Sequence, residues 1–175
     1  MLSLVRGPKL AALLQLLDQS PKHGVAVEFG VYRGGTMLDM ATMQAWRVFY
    51  GFDTFEGLPA EAWQAGEIHG VGDMRDTDLN EVLSGMPQNV TLVPGLFPES
   101  AEHYDLPVAF AHVDFDFEIS TADAIEWLKP RLVDGAVVVF DDYDWPHCPG
   151  VRRAIEAAGL KVKRSAEFQA YWIKQ

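Results

Sequence analysis

A chain of 175 residues with 49% hydrophobic content is long enough to bury one sizeable core, and residues 1–175 are read as a single domain. A formal charge of -11 argues against a nucleic-acid backbone or an anionic membrane surface as partner, since both reward basic patches. The single cysteine, Cys148, excludes an intramolecular disulfide framework and is compatible with a reducing cytosol.

Residues 1–20 read as an N-terminal helix, because Leu10, Leu13, Leu14 and Leu17 fall at i, i+3, i+4 and i+7. The apolar stretch AALLQLL lies between Lys9 and Asp18 with no small-residue cleavage site, which favours an amphipathic helix on the domain over a signal peptide. No run approaches the roughly 20 apolar residues of a membrane span, so a soluble, cytoplasmic protein is expected.

After a break at Pro21–Gly24, Val25–Phe29 forms a short strand that feeds the turn GVYRGGT and a helix from about Thr36 to Trp46. A strand, a glycine-bearing turn and a helix start let a ligand approach backbone N–H groups. The dinucleotide pattern G-x-G-x-x-G is absent, Tyr32 standing at its second glycine, so an ordinary βα turn is the competing reading. The next strand, Val48–Phe52, ends at Asp53, which lies 25 positions (53 − 28) beyond Glu28. An acid near that separation meets a nucleoside ribose in doubly wound folds. The candidate cofactor-binding residues are therefore Glu28, Gly30, Tyr32, Gly34, Thr36, Asp53 and Thr54.

Residues 57–86 have poor periodicity, several glycines and clustered charge, the composition of a flap over a site. Trp63 within it is expected to tuck into the core. Val90–Val93 is a third strand, and Pro98-Glu99-Ser100 opens a short helix that stops before Pro107.

Val108–Val113 and Ala136–Phe140 are near-continuous apolar runs, as expected of strands covered on both faces of a parallel sheet. A crossover helix from Ser120 to Leu132, capped by Ser120 or Thr121, would put both carboxyl ends on one edge. Asp114, Asp116, Asp141 and Asp142 then converge. Carboxylates held that close repel one another unless a cation or proton is shared, so a metal site is expected, and an all-oxygen donor set suits Mg2+ better than zinc. His112, inside an apolar run, reads as a core residue. Tyr143–Pro149 is a loop bordering the acids, with Trp145, His147 and Cys148. Helix Val151–Ala158 and a hairpin of Leu160–Ala166 with Phe168–Ile173 complete the chain. The pattern predicts an α/β, Rossmann-like fold: a seven-stranded, mostly parallel sheet with one antiparallel strand and helices on both faces.

The blocks VEFGVYRGGT, GFDTFEGLP, HVDFDFEIST and VVVFDDYDWPHCPGVRRAI resemble those of the macrocin O-methyltransferase (TylF, MycF and NovP type) family over about Val25 to Ala158. These are class I S-adenosylmethionine enzymes that methylate sugar hydroxyls. The resemblance implies that Glu28 and Gly30 hold the methionine part of S-adenosyl-L-methionine and that Asp53 takes the ribose hydroxyls. It matches Asp114, Asp141 and Asp142 to magnesium ligands and Asp116 to the general base; His147 is the rival base. The acceptor it implies is a small hydroxylated molecule or sugar. Two departures stand out. Phe117-Glu118 replaces the family's usual tyrosine after D-x-D, and the chain is shorter at its N-terminus than those enzymes. Catechol-type methyltransferases share the metal arrangement, but no lysine just after Asp114 supplies their base. A nicotinamide-dependent oxidoreductase would have no need of the Asp114/Asp141/Asp142 group, and a non-catalytic cofactor-binding module is the remaining alternative. The aromatic-rich final strands are able to pair across a homodimer.

Overall fold

The computed structural model describes residues 3–175, so the first two positions of the expected N-terminal helix lie outside the described residues. Helix α1 runs Pro8–Gln19, with proline in its first turn where a missing N–H costs nothing. Its leucine stripe turns inward as the spacing predicts: Leu13, Leu16 and Leu17 are buried, and Leu10 and Leu14 pack beside them. Strand β1 (Val25–Phe29), helix α2 (Gly35–Met43), strand β2 (Phe49–Asp53), helix α3 (Leu79–Gly85) and strand β3 (Val90–Pro94) form the first half. Strand β4 (Val108–Val113), helix α4 (Glu118–Leu128), strand β5 (Leu132–Phe140), helix α5 (Pro149–Ala157) and strands β6 (Lys163–Ala166) and β7 (Gln169–Ile173) form the second.

The sheet has seven strands in the order β3-β2-β1-β4-β5-β7-β6, with β7 antiparallel to its neighbours β5 and β6 and every other pairing parallel. The predicted architecture is the observed one. From β1 the chain builds outward through β2 and β3, then returns to place β4 on the other side of β1. That reversal opens a crevice beyond the carboxyl ends of β1 and β4, where ligands bind in open α/β sheets. Alternating residues along the central strands face two separate cores. Val27, Phe29, Phe52 and Val138 pack with α4 and α5, whereas Ala26, Phe110, Val137 and Val139 pack with α1 and α2.

Several boundaries differ from the sequence reading: α1 starts at Pro8, α2 ends at Met43 rather than Trp46, and β6 starts at Lys163 rather than Leu160. Helix α4 starts at Glu118 and ends at Leu128, and Ser120 and Thr121 lie inside it rather than at its cap. The Thr121 hydroxyl donates instead to the Phe115 carbonyl (3.0 Å), and the Glu118 N–H donates to Glu67 Oε1 (3.1 Å), an acceptor from a distant loop. Strand β5 begins at Leu132, four residues before Ala136, because Leu132 pairs with Val108 and a register shift with Gly135 at φ 77 carries the strand onward. Trp63 is 45% exposed rather than buried.

The tightest backbone approach lies where β1 meets β4. The Asp114 N–H donates to the Phe29 carbonyl (2.8 Å), and Gly30 follows at φ 86, where an added Cβ would stand 2.3 Å from the Asp114 carbonyl oxygen. A non-glycine residue there meets both an unfavourable φ and backbone that has no room to move. Gly30→Ala is expected to cost about 3–5 kcal/mol of folding stability, read as a lowered denaturant midpoint at unchanged m-value.

Candidate active site

Beyond the carboxyl edge lies a cleft of about 640 Å3, part of it open to solvent, lined by Gly30, Tyr32, Asp53, Thr54, Asp114 and Asp116 among others. Gly57, Leu58, Pro59 and Met74, from the segment read as a flap, form part of its wall.

The first turn is tied down by Asp53. Its Oδ2 accepts from the N–H groups of Val31 and Tyr32 (both 2.7 Å), and its Oδ1 accepts from Phe55 N–H (2.7 Å). A carboxylate offers about four acceptor sites, so three backbone donors leave one open, on Oδ1, for a ligand hydroxyl. Tyr32 takes φ 50 to present its N–H, and Gly34, at φ 76, starts α2. The 57–86 segment is anchored to this turn. Tyr32 hydroxyl donates to Asp76 Oδ1 (2.6 Å), Arg33 pairs with Asp76 Oδ2 (2.5 Å), and Thr77 hydroxyl donates to the Tyr32 carbonyl (2.9 Å). Thr54 donates to the Gly57 carbonyl (2.8 Å).

Glu28 and Thr36 stand elsewhere. Glu28 is buried on the α1/α2 face of β1, with Oε1 2.9 Å from His112 Nδ1, and is absent from the cleft lining. Burial raises its pKa against the opposing pull of His112. The Thr36 hydroxyl shares a 2.6 Å hydrogen bond with Ser3.

The acids meet where β4 and β5 end. Oxygens of Asp114 and Asp141 lie within 4.8 Å of each other, together with a ring nitrogen of His112. His112 and Asp114 are two apart on one strand and so share a face. Asp141 and Asp142 are joined by a cation from α1: Lys9 Nζ is 2.8 Å from Asp141 Oδ2 and 3.3 Å from Asp142 Oδ1. Gln169 Nε2 donates to Asp141 Oδ1 (3.4 Å). Asp116 adjoins this corner, its Oδ1 3.3 Å from the Cys148 thiol.

Crowding shifts these groups upward. Burial, then the neighbouring Asp141 and Asp142, holds Asp114 well above the ordinary carboxylate range. Burial and Asp141 push Asp142 to about 6 against the pull of Lys9. Asp116 is raised by burial, with His69 and the Cys148 thiol opposing. Burial pulls the Lys9 ammonium down, but Asp141, Asp142 and Asp114 more than offset it, so Lys9 stays charged. Burial and the flanking acids push the Cys148 thiol far upward.

A raised carboxylate binds more protons in the folded chain than in the unfolded one, so stability falls as pH rises through the interval between the two pKa values. For Asp142 that interval runs from 3.8 to about 6. Without divalent ions, the melting temperature is therefore expected to rise as pH is lowered from roughly 7 to roughly 5, and scanning calorimetry in the presence of EDTA measures it.

Sequence reasoning brought Asp53, Asp114, Asp116, Asp141 and Asp142 to the carboxyl edge, where they lie. It missed Lys9 and His69, and it set His112 aside although its two-residue spacing from Asp114 was a usable signal. His147 is exposed, its ring 5.0 Å from that of Trp145, and it does not line the cleft.

The model of the macrocin-O-methyltransferase (TylF) family matches residues 4–163, nearly the whole chain. The chain belongs to the TylF family. A curated relative, an 8-demethyl-8-(2,3-dimethoxy-alpha-L-rhamnosyl)-tetracenomycin-C 4'-O-methyltransferase of Streptomyces olivaceus, is 31% identical over 71% of this chain and 55% of its own. The chain thus spans about half the length of that relative. Among solved structures, the O-methyltransferase NovP superposes with a TM-score of 0.81 at 23% identity, covering 96% of this chain and 80% of NovP. The calicheamicin methyltransferase CalS11 gives 0.74 at 26%, covering 97% and 80%. Among the described residues, no helix is long and apolar enough to cross a membrane.

Whether a divalent ion suits this TylF-family site is answered by its donors. Asp114 and Asp141 offer oxygen, and the third ligand atom within 4.8 Å of both is a ring nitrogen of His112, so the group is two carboxylates with one imidazole, a set open to a divalent ion without being confined to magnesium. The Lys9 ammonium, seated between Asp141 and Asp142, already offsets part of their charge from within the chain.

Proposed function

We propose that this chain is an S-adenosylmethionine- and magnesium-dependent O-methyltransferase acting on a hydroxyl of a sugar or other small polyhydroxylated molecule. The observation that carries the reading is that one cleft is lined both by Gly30, Tyr32, Asp53 and Thr54 and by Asp114 and Asp116, with Asp141, outside the lining, within 4.8 Å of Asp114. Family membership supports the cofactor, and the sugar-directed relative supports the acceptor class.

In this reading Asp53 fixes the turn after β1 and keeps one lone pair for a ribose hydroxyl. Gly30 keeps the β1–β4 junction narrow so that the cofactor lies against backbone. Asp114, Asp141 and Asp142 would hold the magnesium ion, with Lys9 withdrawing as it binds. The bound ion would supply acidity to a coordinated acceptor hydroxyl, and S-adenosylmethionine would supply the methyl group. Asp116 takes the hydroxyl proton; its raised affinity for protons brings a carboxylate nearer the range in which a base works at neutral pH. The exposed position of His147 favours Asp116 over it as base. Residues 57–86, latched to Tyr32 and Arg33 through Asp76, wall one side of the cleft and would limit the access of water to it.

The test is a panel of nucleotide sugars, free glycosides and catechols incubated with S-adenosylmethionine and Mg2+, with S-adenosylhomocysteine and methylated product followed by mass detection. Product from a sugar, lost with EDTA, supports the reading. Cofactor binding without turnover on any member would favour a non-catalytic module, the reading that the internal Lys9–Asp141–Asp142 pairing supports, because it neutralises the acids without a metal.

A further inference from the structure

Beside the oxygen-lined corner stands a group of different chemistry. His69 comes from the 57–86 segment, Asp116 follows β4, and Cys148 immediately precedes α5. One ligand atom from each lies within 4.8 Å of the other two. Cys148 is fully buried, with its sulfur 3.3 Å from Asp116 Oδ1. His69 Nδ1 is 3.5 Å from Asp73 Oδ2, while its Nε2 is buried with no hydrogen-bond partner.

Metal-ligating histidines commonly leave one ring nitrogen for the ion while a carboxylate stands beside the other, and His69 has Asp73 within 3.5 Å of Nδ1, close enough for that carboxylate to take up the outer role on binding. A bare buried ring nitrogen is otherwise a cost, since it gives up a hydrogen bond to water and gains none. Thiol, imidazole and carboxylate together suit zinc and its softer neighbours, which bind three protein ligands and keep a fourth position open. They do not suit magnesium, which prefers oxygen and the adjoining acids. With no second cysteine in the chain, the thiol has no intramolecular disulfide partner.

We propose that His69, Asp116 and Cys148 form a second metal site, selective for a thiophilic divalent ion of the zinc class, separate from the Asp114/Asp141/Asp142 corner. Binding forms a metal–sulfur bond and releases the thiol proton to solvent, with no change of oxidation state. It ties residues 57–86 to the loops that follow β4 and β5 and occupies Asp116. The inhibitory consequence rests on the reading of Asp116 as base; the site itself rests on the three ligands.

Cobalt(II) is the probe, added to the full chain with excess Mg2+ so that the oxygen corner is saturated. One equivalent is expected to produce a near-ultraviolet thiolate-to-cobalt charge-transfer band, absent in Cys148→Ser and displaced by zinc. Asp73→Asn, which leaves all three ligands in place, is expected to weaken cobalt uptake about 10–100-fold, and it keeps the test decisive if Cys148→Ser folds poorly. In a methyl-transfer assay, micromolar zinc should inhibit the wild-type protein reversibly, with activity recovered on chelation. No charge-transfer band, a band that survives Cys148→Ser, or cobalt affinity unchanged in Asp73→Asn would overturn the site. A band in a protein that transfers no methyl group would keep the site and sink the methyltransferase reading alone.

Discussion

Lys9→Met is expected to move two quantities in opposite directions. Without divalent ions the variant should lose about 3 kcal/mol of folding stability, because removing one partner of a buried pair leaves the other charge without compensation. Asp141 is only 4% exposed and takes the shorter of the two Lys9 contacts, 2.8 Å, so it bears most of that loss. With Mg2+ the order reverses. A magnesium ion in the wild-type protein must first displace an ammonium, and each 1.4 kcal/mol of displaced interaction is a factor of ten in affinity. Lys9→Met should therefore bind Mg2+ about tenfold more tightly or better, and Mg2+ should raise its melting temperature by more than it raises that of the wild type. Isothermal titration gives the affinity and denaturant melts with and without Mg2+ give the stability. Equal affinity in both proteins would mean that Lys9 and the ion do not share the corner.

The second large effect concerns Asp116. Asp116→Asn keeps the shape and the neighbouring acids but cannot accept the acceptor's proton. Turnover is expected to fall about 10²–10⁴-fold with KM and S-adenosylmethionine affinity little changed. His147→Ala, on an exposed loop, is expected to leave turnover within about twofold of wild type. Single-turnover kinetics separates the chemical step from release. A reversed order, with His147 dominant, would reassign the base.

The fold was legible because its signals were local. Five apolar runs of strand length, separated by helix-length segments, leave few topologies once crossovers must be right-handed and short. The meeting of Asp114 with Asp141 followed from the same rule, since a single crossover helix makes β4 and β5 parallel neighbours. What failed to show depended on orientation. The azimuth of α1 about its own axis decides that Lys9, rather than Asp18, reaches the acids, and the leucine stripe fixes that azimuth only against a sheet whose position is known. Glu28 and His112 are cross-strand neighbours in the β1–β4 register, and that pairing, invisible before the register is known, turns Glu28 from the cleft. The cap of α4 is supplied by Glu67, 51 residues away. No local pattern announces an acceptor that arrives from so far along the chain.

One measurement bears on the account most directly. Mn2+ is titrated into the wild-type protein and into Asp114→Asn and Asp141→Asn, with the free ion followed by electron paramagnetic resonance. The account predicts one Mn2+ bound per wild-type chain, displaced by Mg2+, with affinity reduced at least about tenfold in each variant. Wild-type protein that takes up no Mn2+, or variants that bind it as tightly as wild type, would contradict it.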